Sequence, residues 1–173
     1  MKSPILCAMA LAATGLAGAA SAQDSGSIMI QSSVGPYCTA LPISGSTLQL
    51  GELADANGQV RDEFQGFVGT FIPTYWCNAP TTVTLGTTPL MNQQVAVVTD
   101  PASFTNRVDY TAKWAWGSLS RTKSSTAGDD VWSVPSANTG QLIVSAYSPF
   151  TESNKRPVAG AYAGTVTLTV VPQ

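Results

Sequence analysis

The segment Gly160 to Val171, GAYAGTVTLTVV, constrains the fold more than any other part of the chain. Val166, Leu168 and Val170 fall on one face of an extended strand, and Thr165, Thr167 and Thr169 fall on the other. Successive strand side chains point to opposite sides, so this pattern predicts a strand of an antiparallel sheet with one dry and one wet face. Shorter period-2 stretches recur upstream, bounded by Gly, Pro, Asn and Ser, and none of the chain after residue 22 has a convincing helical period. Strands are expected at Ile28-Met29-Ile30, Tyr37 to Leu41, Thr47 to Leu50, Gly66 to Cys77, Thr81 to Leu85, Val95 to Val98, Val108 to Trp116, Val131 to Val134 and Gln141 to Ala146. Pro73 cannot donate to a ladder, so it marks an edge or a bulge in its strand. Glu52 to Gln65, Ser118 to Asp130 and Ser148 to Pro157 are polar and read as loops. So many short strands in one domain of about 150 residues predict an all-β, antiparallel β-sandwich of immunoglobulin-like type.

The N-terminus reads as an export signal. Lys2 precedes an apolar run from Pro4 to Ala19, and Ala20-Ser21-Ala22 supplies the small residues that signal peptidase requires. Residues 1–22 are therefore assigned as a signal peptide, 23–35 as an N-terminal extension and 36–173 as the sandwich domain. The run is too short and too rich in Gly and Ala for a transmembrane anchor, and no membrane insertion is expected.

Export leaves Cys38 and Cys77 in an oxidising compartment, where such a pair forms a disulfide. A metal site would need further ligands, and the chain has no His. That absence also rules out Ser-His-Asp and Cys-His catalysis. The remaining carboxylate pairs, Asp62-Glu63 and Asp129-Asp130, sit in polar stretches and read as solvated loop charges. The expectation is a protein that is not an enzyme and has no cofactor. The formal charge of the whole chain is −2, and removal of Lys2 makes it −3. No basic cluster is present beyond Lys155-Arg156, so nucleic acid is an unexpected partner. Tyr75, Trp76, Trp114, Trp116 and Trp132 fit a core best, with a subunit interface or a sugar platform as further readings.

In order along the chain stand GSIMIQSSVGPYC, Leu48-Gln49-Leu50-Gly51, TYWCNAP, TTVTLG, Val108-Asp109-Tyr110, Gly140-Gln141 and the closing Gly-x-Tyr-x-x-Thr-Val-x-Leu-x-Val of Gly160 to Val170. This series resembles the spore-coat-U-like domain shared with pilus subunits of the archaic chaperone–usher class. The chain departs from that pattern at Gly164, where the family often has Asp. The resemblance implies a sandwich lacking its final strand. A periplasmic chaperone would hold it, an outer-membrane usher would export it, and sister subunits would complete it by donor-strand exchange at the cell surface. Ile28, Ile30 and Val34 then form the donor strand, and Val166, Leu168 and Val170 line the acceptor groove. The same Ile and Val spacing also suits an ordinary first strand packed on its own domain. A self-completed coat or matrix protein and a small carbohydrate-binding module are the alternatives.

Overall fold

A computed structural model describes residues 28–42, 47–61 and 68–173; the expected signal peptide and the Asp62-Glu63 pair lie outside the described residues. The chain divides into two compact units, Met1–Ser33 and Val34–Gln173. The described part of the first, residues 28–33, contains no strand.

The second unit is an antiparallel β-sandwich. One sheet contains β1 (Val68–Cys77), β8 (Asn138–Phe150), β5 (Arg107–Trp116), β3 (Leu90–Asn92) and β10 (Tyr162–Ala163) in that order, with β6 (Leu119–Ser124) also paired to β5. The other is β11 (Val166–Pro172), β2 (Thr81–Thr87) and β7 (Asp130–Val134). A short parallel ladder joins β4 (Phe104–Thr105) to β9 (Arg156–Pro157). The helical content among the described residues is one 3-10 turn, Glu152–Asn154.

Alternation builds the core. Val108, Tyr110, Ala112, Trp114 and Trp116 of β5 point inward, opposite Leu142, Val144 and Ala146 of β8. Val83, Leu85 and Leu168 close the core from the other sheet. Tyr75 and Trp116 meet edge to face at 5.2 Å, and the Trp116 indole N–H donates to the Tyr75 carbonyl at 3.0 Å, so the Trp116 donor is paired within the core. The Tyr110 hydroxyl lies 3.0 Å from the carbonyl oxygens of both Thr88 and Thr165, tying the two sheets together.

Pro73 sits where it was expected. Ile72 faces Leu142 and Tyr75 faces Gly140, so Pro73 and Thr74 together oppose Gln141 alone. That bulge switches inward parity from Ile72 to Tyr75 and Cys77, and it absorbs the missing proline donor.

Five expectations need correction. Ser148 to Pro157 is not all loop, since β8 runs to Phe150 and β9 covers Arg156–Pro157. Ser118 to Asp130 is not all loop, since β6 runs through it. Its inward positions carry Arg121 and Lys123 in place of apolar residues. The Lys123 ammonium donates to the carbonyls of Leu85 (3.3 Å) and Gly128 (2.7 Å), and the Arg121 guanidinium stacks over Trp132 at 4.2 Å. Val95 to Val98 is not a strand. The Asn92 carboxamide oxygen accepts from the backbone of Gln94 and Val95, and the Asn106 amide donates to the carbonyls of Val95 and Ala96, so side chains satisfy this backbone in place of a ladder. The closing segment is interrupted at Gly164, whose Cβ position would lie 2.7 Å from the Pro89 carbonyl oxygen. Finally, Ile28-Met29-Ile30 and Thr47 to Leu50 join no ladder, and Tyr37 to Leu41 contributes only the Cys38–Cys77 bridge.

Candidate functional site: an unpaired strand edge above an apolar cleft

Cys38 and Cys77 are joined by a disulfide, as the sequence suggested. Around it the Thr39 N–H donates to the Trp76 carbonyl and the Asn78 N–H to the Tyr37 carbonyl, each at 3.0 Å. The Asn78 side chain adds two bonds, accepting from the Tyr37 N–H at 2.6 Å and donating to the Gly35 carbonyl at 2.9 Å. Residues 35–39 are thereby pinned to the C-terminal end of β1.

The central feature is β11. It pairs with β2 on one side, and among the described residues no strand pairs with its other edge. The register shows which residues are affected. The Thr88 N–H donates to the Thr165 carbonyl at 2.9 Å, and the Gln173 N–H donates to the Pro80 carbonyl at 2.8 Å. Backbone groups alternate sides along an antiparallel strand, so odd-numbered residues from Thr165 to Gln173 face β2. Val166, Leu168 and Val170 therefore turn their N–H and C=O groups toward the open edge. Their side chains point inward, where Leu168 is buried and Val166 and Val170 pack partly buried against the core.

Beneath this edge lies a cleft of about 1070 Å³. Leu90, Tyr110, Val144 and Ala146 line it from the core sheet, and Val166 and Leu168 line it from β11. Leu41, Leu48, Leu50 and Leu53 contribute from the segment before β1, residues 157–164 add to the lining, and Gln49, Glu52 and Thr70 are among its polar members. Of the three expected groove residues, Val166 and Leu168 line the cleft. Val170 packs against the core but is not part of the lining, because the cleft lies toward the Val166 end of the strand. The leucines at 41, 48, 50 and 53 were missed as groove residues. Leu-x-Leu at 48 and 50 was the available signal, and it reads equally well as an ordinary strand.

Ile28, Ile30 and Val34 are 91%, 92% and 86% exposed. Residues 28–36 join no ladder.

The aromatic residues do not form one surface platform. Tyr75, Trp114 and Trp116 are buried. Trp76 lies beside Tyr37 at 5.6 Å on β1, and Trp132 lies under Arg121 on β7 of the other sheet. The carboxylates have structural partners. Asp109 is gripped by Arg107 at 2.9 Å and by the Ser125 hydroxyl at 2.9 Å, and Asp130 faces Arg121 at 3.5 Å. Burial, and secondarily the Asp109 carboxylate, pushes the Tyr110 hydroxyl up to about 12, so it stays protonated across the physiological range.

No family model matches the chain, and no curated protein matches it either.

Proposed function

We propose that this protein is a structural subunit of a bacterial surface fibre, exported and assembled by strand donation between copies, with a role in adhesion or biofilm formation. The observation that carries this reading is the unpaired edge of β11 above an apolar cleft. Unpaired backbone groups beside apolar surface are a template for another strand, and most proteins cover such edges. Strand addition would satisfy the backbone of Val166, Leu168 and Val170 and bury alternate apolar side chains in the cleft. The donor in this reading is the N-terminal extension of a second copy. Ile28 and Ile30 supply neighbouring apolar side chains on one face, Val34 supplies a third, and all three are exposed. A periplasmic chaperone and an outer-membrane usher are the partners implied by the resemblance to the spore-coat-U-like and archaic pilus subunits.

The test is unheated SDS gel electrophoresis with negative-stain microscopy, on the chain co-expressed with a chaperone and on the same chain lacking residues 23–34. A ladder that collapses on boiling and disappears with the deletion supports the reading. A monomer in both cases contradicts it and favours a self-completed coat protein.

A further inference from the structure

β7 is the other edge of the small sheet, and the register fixes which of its backbone groups are free. Thr81, Val83 and Leu85 of β2 lie opposite Val134, Trp132 and Asp130. The Thr88 N–H donates to Thr165, so even-numbered residues of β2 face β11 and odd-numbered ones face β7. Asp130, Trp132 and Val134 therefore bond toward β2, while Val131 and Ser133 turn their N–H and C=O groups outward. Among the described residues no strand pairs with that side. The strand reads Asp-Val-Trp-Ser-Val and displays apolar surface, with Val131 61% and Trp132 36% exposed. A short, strand-forming, apolar edge of this kind is a template for a second chain unless something blocks it.

What lies beneath the edge supplies the block. Facing β7 is β6, whose inward positions Arg121 and Lys123 stand opposite Trp114 and Ala112 of β5. The Arg121 guanidinium stacks on Trp132 at 4.2 Å, its Nε lies 3.5 Å from the Asp130 carboxylate, and 42% of its side chain remains in water. Lys123 is buried behind it, with its ammonium on the carbonyls of Leu85 and Gly128. A strand added to β7 would lay every second side chain over this pair of cations. An apolar side chain there would strip the remaining water from Arg121 or lift it off Trp132, and both are unfavourable. We infer that Arg121, backed by Lys123, determines the specificity of association by keeping the β7 edge from pairing with a second copy of this chain. The consequence rests on the assembly role proposed above: one accepting edge per copy gives an unbranched fibre, whereas two would fuse fibres side by side.

The test compares the full chain with its Arg121→Leu and Arg121→Lys variants at matched concentration, by light scattering and backbone amide exchange. Arg121→Leu should raise the weight-average mass about twofold or more over the parent, and the outward amides of Val131 and Ser133 should slow about tenfold, as newly bonded amides do. Arg121→Lys keeps the charge and should match the parent. Parental mass in a folded Arg121→Leu, extra mass without slowing at Val131 and Ser133, or equal association of Arg121→Lys each overturns the inference. Where circular dichroism shows Arg121→Leu unfolded, Arg121→Gln, which loses the charge and keeps a polar side chain, is read by the same criteria. A parent that stays monomeric contradicts the assembly role alone, because the comparison measures only the association that loss of the charge adds.

Discussion

Breaking the disulfide should have a large and calculable effect. Cys38 and Cys77 are 39 residues apart. In the chain-entropy model, closing a loop of that length removes about 13 cal/mol/K from the unfolded chain, or about 4 kcal/mol at 25 °C. The bonds flanking the bridge temper the local consequence, since Thr39–Trp76 and Tyr37–Asn78 hold the same two segments together. They cannot replace the entropic term, which belongs to the unfolded state. The double variant Cys38→Ser/Cys77→Ser should therefore lose about 4 kcal/mol by urea denaturation, moving the midpoint by about 2 M for a typical slope. The cleft wall lies within the released loop, so assembly should fall along with stability. Adding Asn78→Ala should cost about 1–2 kcal/mol more for the two side-chain hydrogen bonds it removes. A loss below about 1 kcal/mol with an unchanged slope would refute the reasoning, since it would mean that the unfolded chain is already compact between these cysteines.

Removing the Tyr110 hydroxyl tests the tie between the sheets. Tyr110→Phe should cost about 1 kcal/mol near neutral pH by denaturation, because the Thr88 carbonyl loses its donor. The hydroxyl titrates near 10 when unfolded and at about 12 when folded, so its contribution is complete below pH 10 and is lost as pH rises toward 12. The Phe variant should therefore lose less stability than the parent across that window; equal losses would contradict the assignment. Tyr75 and Tyr162, also raised by burial, leave some alkaline sensitivity in both proteins. Gly164→Ala should destabilise by about 1–3 kcal/mol, as overpacking does, because its Cβ would meet the Pro89 and Thr88 carbonyl oxygens at 2.7 and 2.9 Å. An unchanged urea midpoint would show that the start of β11 yields more easily than these contacts imply. Ile30→Asp should block polymerisation while leaving the monomer's denaturation curve unchanged, because Ile30 is fully displayed to solvent. Polymer of normal length would argue against the donor role.

The strands with clean alternation were readable from sequence because burial acts on one face at a time. Val83 to Leu85, Val108 to Trp116 and Val166 to Val170 each put apolar residues at every second position, and each lies in a core strand. Pro73 signalled an edge or a bulge because proline lacks a donor, and the structure has a bulge there. The failures have equally local causes. β6 hid because Arg121 and Lys123 occupy inward positions, and only a three-dimensional neighbour could supply the Trp132 face and the Leu85 and Gly128 carbonyls that satisfy them. Val95 to Val98 misled in the opposite sense, since apolar residues drew attention while Asn92 and Asn106 took the backbone bonds. Part of the cleft was legible, because Val166 and Leu168 follow from alternation. The contribution of Leu41, Leu48, Leu50 and Leu53 was not, because sequence periodicity does not show whether a strand-like segment has found a partner.

In the proposed assembly, the open edge of β11 receives the N-terminal segment of another copy. Two incomplete variants test it most directly. A chain lacking residues 23–34 keeps the cleft and loses the donor. A chain with Val166→Asp keeps the donor and places a charge in the cleft lining. Each should remain monomeric alone, and mixing them should give a one-to-one dimer that grows no further, as read by size-exclusion chromatography with light scattering. Polymer from either variant alone, or a mixture that stays monomeric while both remain folded by circular dichroism, would contradict the claim.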